Sequence, residues 1–361
     1  MRFTRPLALL LVLAGLAAAC SGDSTSSPSM ATLVAPTSPG AVPMTCPPSM
    51  QRQSTDALPV AMNWDLPTFG GTTVERSSCS PPSGTAFPVG TSTVTCTADQ
   101  PTYASACSFT ITITPPDPKL RFTRFLAYGD SITAGVVSEG FSNPMQLPAL
   151  LRSASGRGIA ARSLQPLNAY PAVLQNLLTP AYSTQQFVVA NGGVPGEKAT
   201  EGLTRLRSVL LETRPEVMML FEGFNDISLA LIEAGPNHTG AVDVDHIADA
   251  LRSMVLMAEG MGIEVLLATL TPTTEAREET DPGTRASIQA LNAEIRAMTP
   301  TFGRGGLVDL HSMLDGVPGV IGPDGFHPTT TGYRRMAEIF FAEIVSRHDV
   351  TPRAPGATAV P

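Results

Sequence analysis

Positive charge is scarce in this sequence: Lys and Arg number 23 against 31 Asp and Glu, for a net charge of -8 over 361 residues. No stretch gathers the basic residues into a cluster, which argues against a nucleic-acid partner, because such partners are met by a concentrated positive face. Long apolar runs are missing as well. The run Leu7 to Leu16 falls short of the roughly 20 residues that cross a bilayer. There is no glycine-rich phosphate motif and no G-x-S-x-G elbow. His238, His246, His311 and His348 read as surface or loop residues, and none is spaced with Cys or carboxylates as a metal centre requires. The reading therefore includes no metal and no cofactor.

What the chain does have is apolar content: 43% hydrophobic and 15% charged positions, enough to bury a sizeable core and to build more than one folded unit. Its first 20 residues read as an export signal, with Arg2 and Arg5, the apolar run, and then Ala17-Ala18-Ala19-Cys20. A Cys directly after such a site resembles the lipobox of bacterial lipoproteins, with Leu16 one place earlier than usual. That resemblance implies a lipid on Cys20, and hence a protein of the cell envelope held to a membrane. Cysteine arithmetic agrees: five is odd for an exported chain, and setting Cys20 aside leaves Cys46, Cys79, Cys96 and Cys107 for two disulfides.

Residues 21–45 are rich in Ser, Thr, Pro, Gly and Ala without hydrophobic period, the composition of a flexible tether. About 25 such residues have an r.m.s. span of roughly 25–30 Å. From 46 to 116 short alternating runs such as "TSTVTCTA" and "CSFTITIT" lie between Pro, Gly and Ser turns, which predicts a small all-β unit. Cys96 and Cys107 are about equally far from a turn near Gln100-Pro101, so a hairpin would set them opposite each other. The expected pairs are then Cys96–Cys107 and Cys46–Cys79, out of three possible connectivities. The phrase from Ser83 to Thr114 resembles the second half of a HYR module, which implies an immunoglobulin-like sandwich and a spacer or adhesion role with a surface partner.

Beyond "TPPDPK", read as a stiff linker, the pattern changes to α/β over residues 117–348. Apolar strand-like runs at "RFLAYGD", "QQFVVAN", "EVMMLFEG", "IEVLLATL" and "GLVDL" alternate with helical patterns near 169–178, 197–213, 244–261, 283–298 and 331–347. Near-continuous apolar strands between amphipathic helices imply a parallel sheet covered on both faces. Residues 349–361 read as a disordered tail.

In such sheets ligands bind beyond the carboxyl ends of the strands, so the residues just after each run carry the information. These are Gly129-Asp130-Ser131, Asn191-Gly192-Gly193, Gly223-Phe224-Asn225-Asp226, and the later loop Asp324-Gly325-Phe326-His327-Pro328. A serine, a histidine with an acid three residues before it, and glycine and amide positions on one rim make up the inventory of acyl transfer: nucleophile, base, orienting group and oxyanion donors. Ser131 alone could be a helix cap; the four motifs together argue otherwise.

The set "GDSI", "NGGVPG", "GFND" and "DGFHP", in that order over about 200 residues, resembles the four sequence blocks of the GDSL or SGNH hydrolase superfamily. The resemblance implies a flavodoxin-like three-layer α/β/α fold. It also implies Ser131 as nucleophile and oxyanion donor, Gly193 and Asn225 as further oxyanion donors, and His327 as base oriented by Asp324. Asp130 and Asp226 read as caps or anchors, Gly196 and Gly223 as turn glycines, and Asn191 as a tie between the first two loops. The long crossover after the first strand, with Phe141, Met145, Leu147 and Leu150, could line an acyl pocket or cap the core.

The expected activity is hydrolysis of carboxylic esters, either acyl chains on small alcohols and lipids or acetyl groups on glycans. Acyl transfer to a glycan and thioester hydrolysis would use the same machinery. A non-catalytic adhesin is the reading of a different class, and it leaves the joint presence of Ser131, Gly193, Asn225, Asp324 and His327 without a purpose.

Overall fold

A computed structural model of the chain describes residues 43–98, 106–137, 167–235, 237–238 and 240–353. Cys20, the turn at Gln100-Pro101, and Phe141, Met145, Leu147 and Leu150 lie outside these residues. Within them two compact units separate: 43–48, 64–83 and 93–109 form one, and 49–63, 84–92 and 110–353 form the other.

The all-β region contains β1 (Met44–Thr45), β2 (Met50–Gln53), β3 (Val60–Ala61), β4 (Thr68–Phe69), β5 (Thr72–Thr73), β6 (Ser77–Ser80), β7 (Ala86–Phe87), β8 (Gly90–Ala98) and β9 (Ala106–Thr114). They form sheets of order β2-β9-β8-β6, β1-β4-β5 and β3-β7, with only β2 parallel to its partner. Alternation in the two long strands decides which face is buried: Val94, Cys96, Phe109, Ile111 and Ile113 point inward, and the threonines between them point out.

The disulfides differ from expectation. They are Cys46–Cys107 and Cys79–Cys96, with Cα separations of 5.7 and 3.9 Å. Hydroxyl pairs Thr95–Ser108 and Thr91–Thr112, both at 3.1 Å, do set Cys96 level with Cys107 as the hairpin argument required. A strand inside a sheet has two neighbours, however. Cys79 stands opposite Cys96 on the other side, in β6, and takes the bond.

The α/β fold has strands β10 (Arg124–Gly129), β11 (Val188–Gly193), β12 (Val217–Phe221), β13 (Glu264–Ala268) and β14 (Gly305–Val308). All pairs are parallel, in the order β11-β10-β12-β13-β14. This is the flavodoxin-like order, and each strand coincides with an expected run. β12 is buried at every position because helices cover both faces.

Helices α1 (Ser131–Ala134), α2 (Tyr170–Ala181), α3 (Ala199–Thr213), α4 (Phe224–Ala234), α5 (Asp245–Gly260), α6 (Glu275–Thr280), α7 (Thr284–Met298), α8 (Leu310–Leu314) and α9 (Thr330–His348) complete the described elements. α2 packs on α9, with Tyr170 stacked on Phe340 at 5.1 Å, while α3, α5, α7 and α4 pack in sequence to form the other layer. The apolar stripe Ile247, Leu251, Met254, Val255, Ala258 shows how α5 is held: i, i+4, i+7 spacing turns one face to the sheet.

Two expectations fail at the C-terminus. Asp349 to Arg353 are ordered: Leu120 bridges Asp349, and the Val350 N–H donates to the Lys119 carbonyl at 2.8 Å. His348 is buried rather than on the surface, edge-on to Phe122 at 4.9 Å, and burial together with Arg347 and Arg121 lowers its pKa to about 4.

Candidate active site

Strand β10 ends at Gly129, and the chain turns at once into α1. Asp130 is the cap of that short helix, its Oδ1 accepting the Ile132 N–H at 2.9 Å. With the cap role filled, the Ser131 hydroxyl is available to another partner. Its Oγ lies 2.9 Å from His327 Nε2, across 196 residues of sequence.

His327 is held in the loop between Val320 and Thr329, which is closed by the Ile321–Pro328 bridge and by the Gly322 N–H donating to the His327 carbonyl. Its Nδ1 is 2.5 Å from Asp324 Oδ2. Asp324 Oδ1 accepts two backbone N–H groups, from Phe326 and His327, each at 3.0 Å. Burial raises the Asp324 pKa, yet the imidazole and these three hydrogen bonds outweigh it and hold the carboxyl below its usual range. Asp324 is fully buried, and Ser131 and His327 are 5% and 4% exposed. A hydroxyl, an imidazole and a carboxylate in line can move the hydroxyl proton to the ring while the carboxylate fixes the tautomer.

Around Ser131 the expected donors fare differently. Asn225, in the first turn of α4, donates from Nδ2 to the Glu197 carbonyl at 2.8 Å, with Asp130 Oδ2 at 3.5 Å. The Gly193 N–H is already engaged, donating to Asn191 Oδ1 at 2.9 Å, while Asn191 Nδ2 donates to the Thr133 carbonyl. Gly193 is needed for close approach instead: a Cβ there would lie 2.2 Å from the Ala134 nitrogen. Asn191 thus ties the second loop to the first, as expected, and the Gly193 N–H, expected to face the oxyanion, is spent on that tie. Gly196, at φ +81°, directly precedes Glu197, the residue whose carbonyl anchors Asn225. Asp226 accepts the Ala199 N–H at 3.0 Å, the anchor role expected of it.

Sequence reasoning missed the charged group beneath this rim. Arg205 pairs with Glu197 through both Nε and Nη2, donates to the Gly192 carbonyl at 2.7 Å, and lies 4.1 Å from the centre of the Tyr128 ring. Glu222, at the end of β12, is 1% exposed. The available signal was a glutamate closing the wholly apolar run "VMMLF": a charge at that depth demands an explanation. Burial raises the pKa of Asp130 to about 7, against lowering by the Ile132 N–H and His327. Asp226 is raised too, again by burial first. Among the described residues no group of His, Cys, Asp and Glu could hold a metal ion.

Comparisons with known proteins bear on both parts of the chain. The model of the GDSL-like lipase/acylhydrolase family matches residues 127–335, and that of the HYR domain matches residues 37–113. Solved structures with the same fold include a lipase/acylhydrolase from Enterococcus faecalis, 22% identical, covering 65% of this chain and 100% of its own at a TM-score of 0.45. An acetylxylan esterase from Geobacillus stearothermophilus is 21% identical over 62% of this chain and 94% of its own, with a TM-score of 0.46. An alpha/beta hydrolase enzyme from the metagenome of Lake Arreo, Spain, is 20% identical over the same shares, at 0.47. A search of curated proteins finds no match.

Proposed function

The chain belongs to the GDSL-like lipase/acylhydrolase family, hydrolases acting on esters, and from that premise we propose that it is an exported, lipid-anchored serine esterase in which Ser131, His327 and Asp324 carry the reaction. One observation carries the reading: the unbroken line from Ser131 Oγ through the His327 ring to Asp324, at 2.9 and 2.5 Å.

Ser131 Oγ attacks the ester carbonyl and His327 Nε2 takes its proton, leaving an imidazolium beside the Asp324 carboxylate. The tetrahedral oxyanion collapses, the alcohol leaves with the proton from Nε2, and water repeats the sequence on the acyl-enzyme. The oxyanion is met by the Ser131 N–H, the Asn225 amide and the Gly196 N–H in place of that of Gly193. One Asn225 hydrogen on the Glu197 carbonyl at 2.8 Å fixes the amide plane, and the other, held only by the long 3.5 Å contact to Asp130 Oδ2, is the one that turns to the substrate oxygen.

Esters of acetyl or longer acyl groups on small alcohols, lipids or glycans fit this chemistry. A cavity of about 260 Å³ is lined by Pro272, Thr273, Arg285, Ile288, Gln289, His311 and Asp315, and its polar groups suit a hydroxyl-bearing alcohol if the leaving group reaches it. It adjoins the catalytic loop, since Thr273 Oγ1 donates to the Gly325 carbonyl at 2.8 Å. In this reading Cys20 bears the lipid, and the HYR region spaces the enzyme from the surface or docks a surface partner.

The test is hydrolysis of p-nitrophenyl acetate, butyrate and octanoate by the full chain and its Ser131→Ala variant. Serine-dependent turnover that falls from acetate to octanoate is expected. Turnover retained by a folded Ser131→Ala protein would refute the reading. Partition of wild type, but not Cys20→Ser, into the detergent phase would check the anchor.

A further inference from the structure

Behind the loop 193–198 four carboxyl groups, Asp130, Glu197, Glu222 and Asp226, are buried, beside one half-buried guanidinium, Arg205. Three of the four have donors. Asp130 takes the Ile132 N–H, Asp226 takes the Ala199 N–H, and Glu197 takes both arms of Arg205. Among the described residues neither oxygen of Glu222 has a hydrogen-bond donor.

Glu222 and Glu197 face the same gap, over the bare backbone of Gly202. A Cβ on Gly202 of α3 would lie 3.4 Å from Glu197 Oε2 and equally 3.4 Å from Glu222 Oε1. A buried ionised carboxylate with no protein donor, among other acids, is strongly disfavoured; retaining a proton and giving it to a neighbouring oxygen satisfies both groups.

We propose that Glu222 is a positioning acid, which keeps its proton and donates it to Glu197, and that this bond together with the Glu197–Arg205 pair fixes the loop 193–198, which carries Gly196 and the carbonyl that orients Asn225. The positioning role rests on the esterase reading above; the shared proton does not. Glu197 is the hinge of the argument, because its carbonyl orients Asn225 and its own N–H donates to the Val194 carbonyl at 3.2 Å. Burial first, and then Asp130, Glu197 and Asp226, push the Glu222 carboxyl well above the ordinary range. The other ionisable groups facing it are Tyr128 of β10, Tyr170 of α2 and Arg205 of α3.

The test has two independent readouts on the full chain. With glutamate side-chain carboxyl carbons labelled by carbon-13, one resonance at pH 7 is expected at the protonated position, and it should vanish in Glu222→Gln. A spectrum in which every glutamate has finished titrating below about pH 6, as ordinary carboxylates do, overturns the proposal. That spectrum decides even if the variant fails to fold or the wild type hydrolyses no ester, so the two readings fall separately. In turnover of p-nitrophenyl acetate, Glu222→Gln keeps a donor toward Glu197 and Glu222→Ala does not. The expected result is a kcat at least tenfold higher for Gln than for Ala at similar KM. Equal kcat values would overturn the positioning role.

Discussion

Replacing Asp130 by Asn should stabilise the protein, and by more at alkaline pH than at acid pH. The carboxyl caps α1 through Oδ1, and an Asn carbonyl can accept the same Ile132 N–H, so the cap survives. What changes is charge. The group is fully buried and its pKa is raised from 3.8 to about 7, chiefly by burial. The folded state therefore binds more protons than the unfolded state between those values, and its contribution to stability falls as pH rises through that window. At about 1.4 kcal/mol per unit, the three-unit difference is worth about 4 kcal/mol once both states are ionised, and about 2 kcal/mol at pH 5. Asn carries no such penalty. Urea denaturation of both proteins at pH 5 and pH 8 should show the variant's advantage growing by about 2 kcal/mol over that interval. An advantage that is independent of pH, or that shrinks as pH rises, would refute the assignment of a buried, reluctantly ionised carboxyl beside the nucleophile.

Removing the amide in Asn225→Ala should lower kcat by about a hundredfold to a thousandfold, the usual cost of one oxyanion donor, and steady-state kinetics on p-nitrophenyl acetate would show it. Asp324→Asn should lose stability relative to wild type at neutral pH. Because the folded pKa is depressed, this stabilisation is present above about pH 4 and disappears as pH falls through the lower folded value; the gap between the two proteins in thermal melts should close in acid. Peptide mapping without reduction should recover Cys46 linked to Cys107 and Cys79 linked to Cys96. Replacing Cys79 and Cys96 together by Ser should cost about 3 kcal/mol for a loop of 17 residues, read by denaturation of the oxidised protein.

The parallel strands were legible because burial on both faces leaves a continuous apolar run, as in Val217 to Phe221. Ser131, Asn225, Asp324 and His327 were legible because acyl transfer calls for those side-chain types, and the fold sets Ser131, His327 and Asp324 in one hydrogen-bonded line. α4 was not foreseen: Phe224 to Ala234 follows β12 after only Glu222 and Gly223, and Gly223 to Asp226 read as a loop at the rim. Backbone donors leave no mark in side-chain identity, so the sequence could not show that the Gly193 N–H is taken by Asn191. The disulfide error has a similar root, since spacing along the chain identifies one neighbour of Cys96 and a sheet supplies two. Glu222 looked like the polar end of a strand, and only its depth in the fold sets it apart.

The pairing of Leu120 with Asp349, and of the Lys119 carbonyl with the Val350 N–H, has an architectural consequence. Entry and exit of the α/β fold are stitched together, so the polypeptide leaves where it arrived. Such a fold behaves as a cassette: it can be spliced into a loop of a host protein, or its two ends can be joined and reopened elsewhere, without stretching the chain. Cutting after His348 would instead undo the stitch and leave the first strand's approach unsupported.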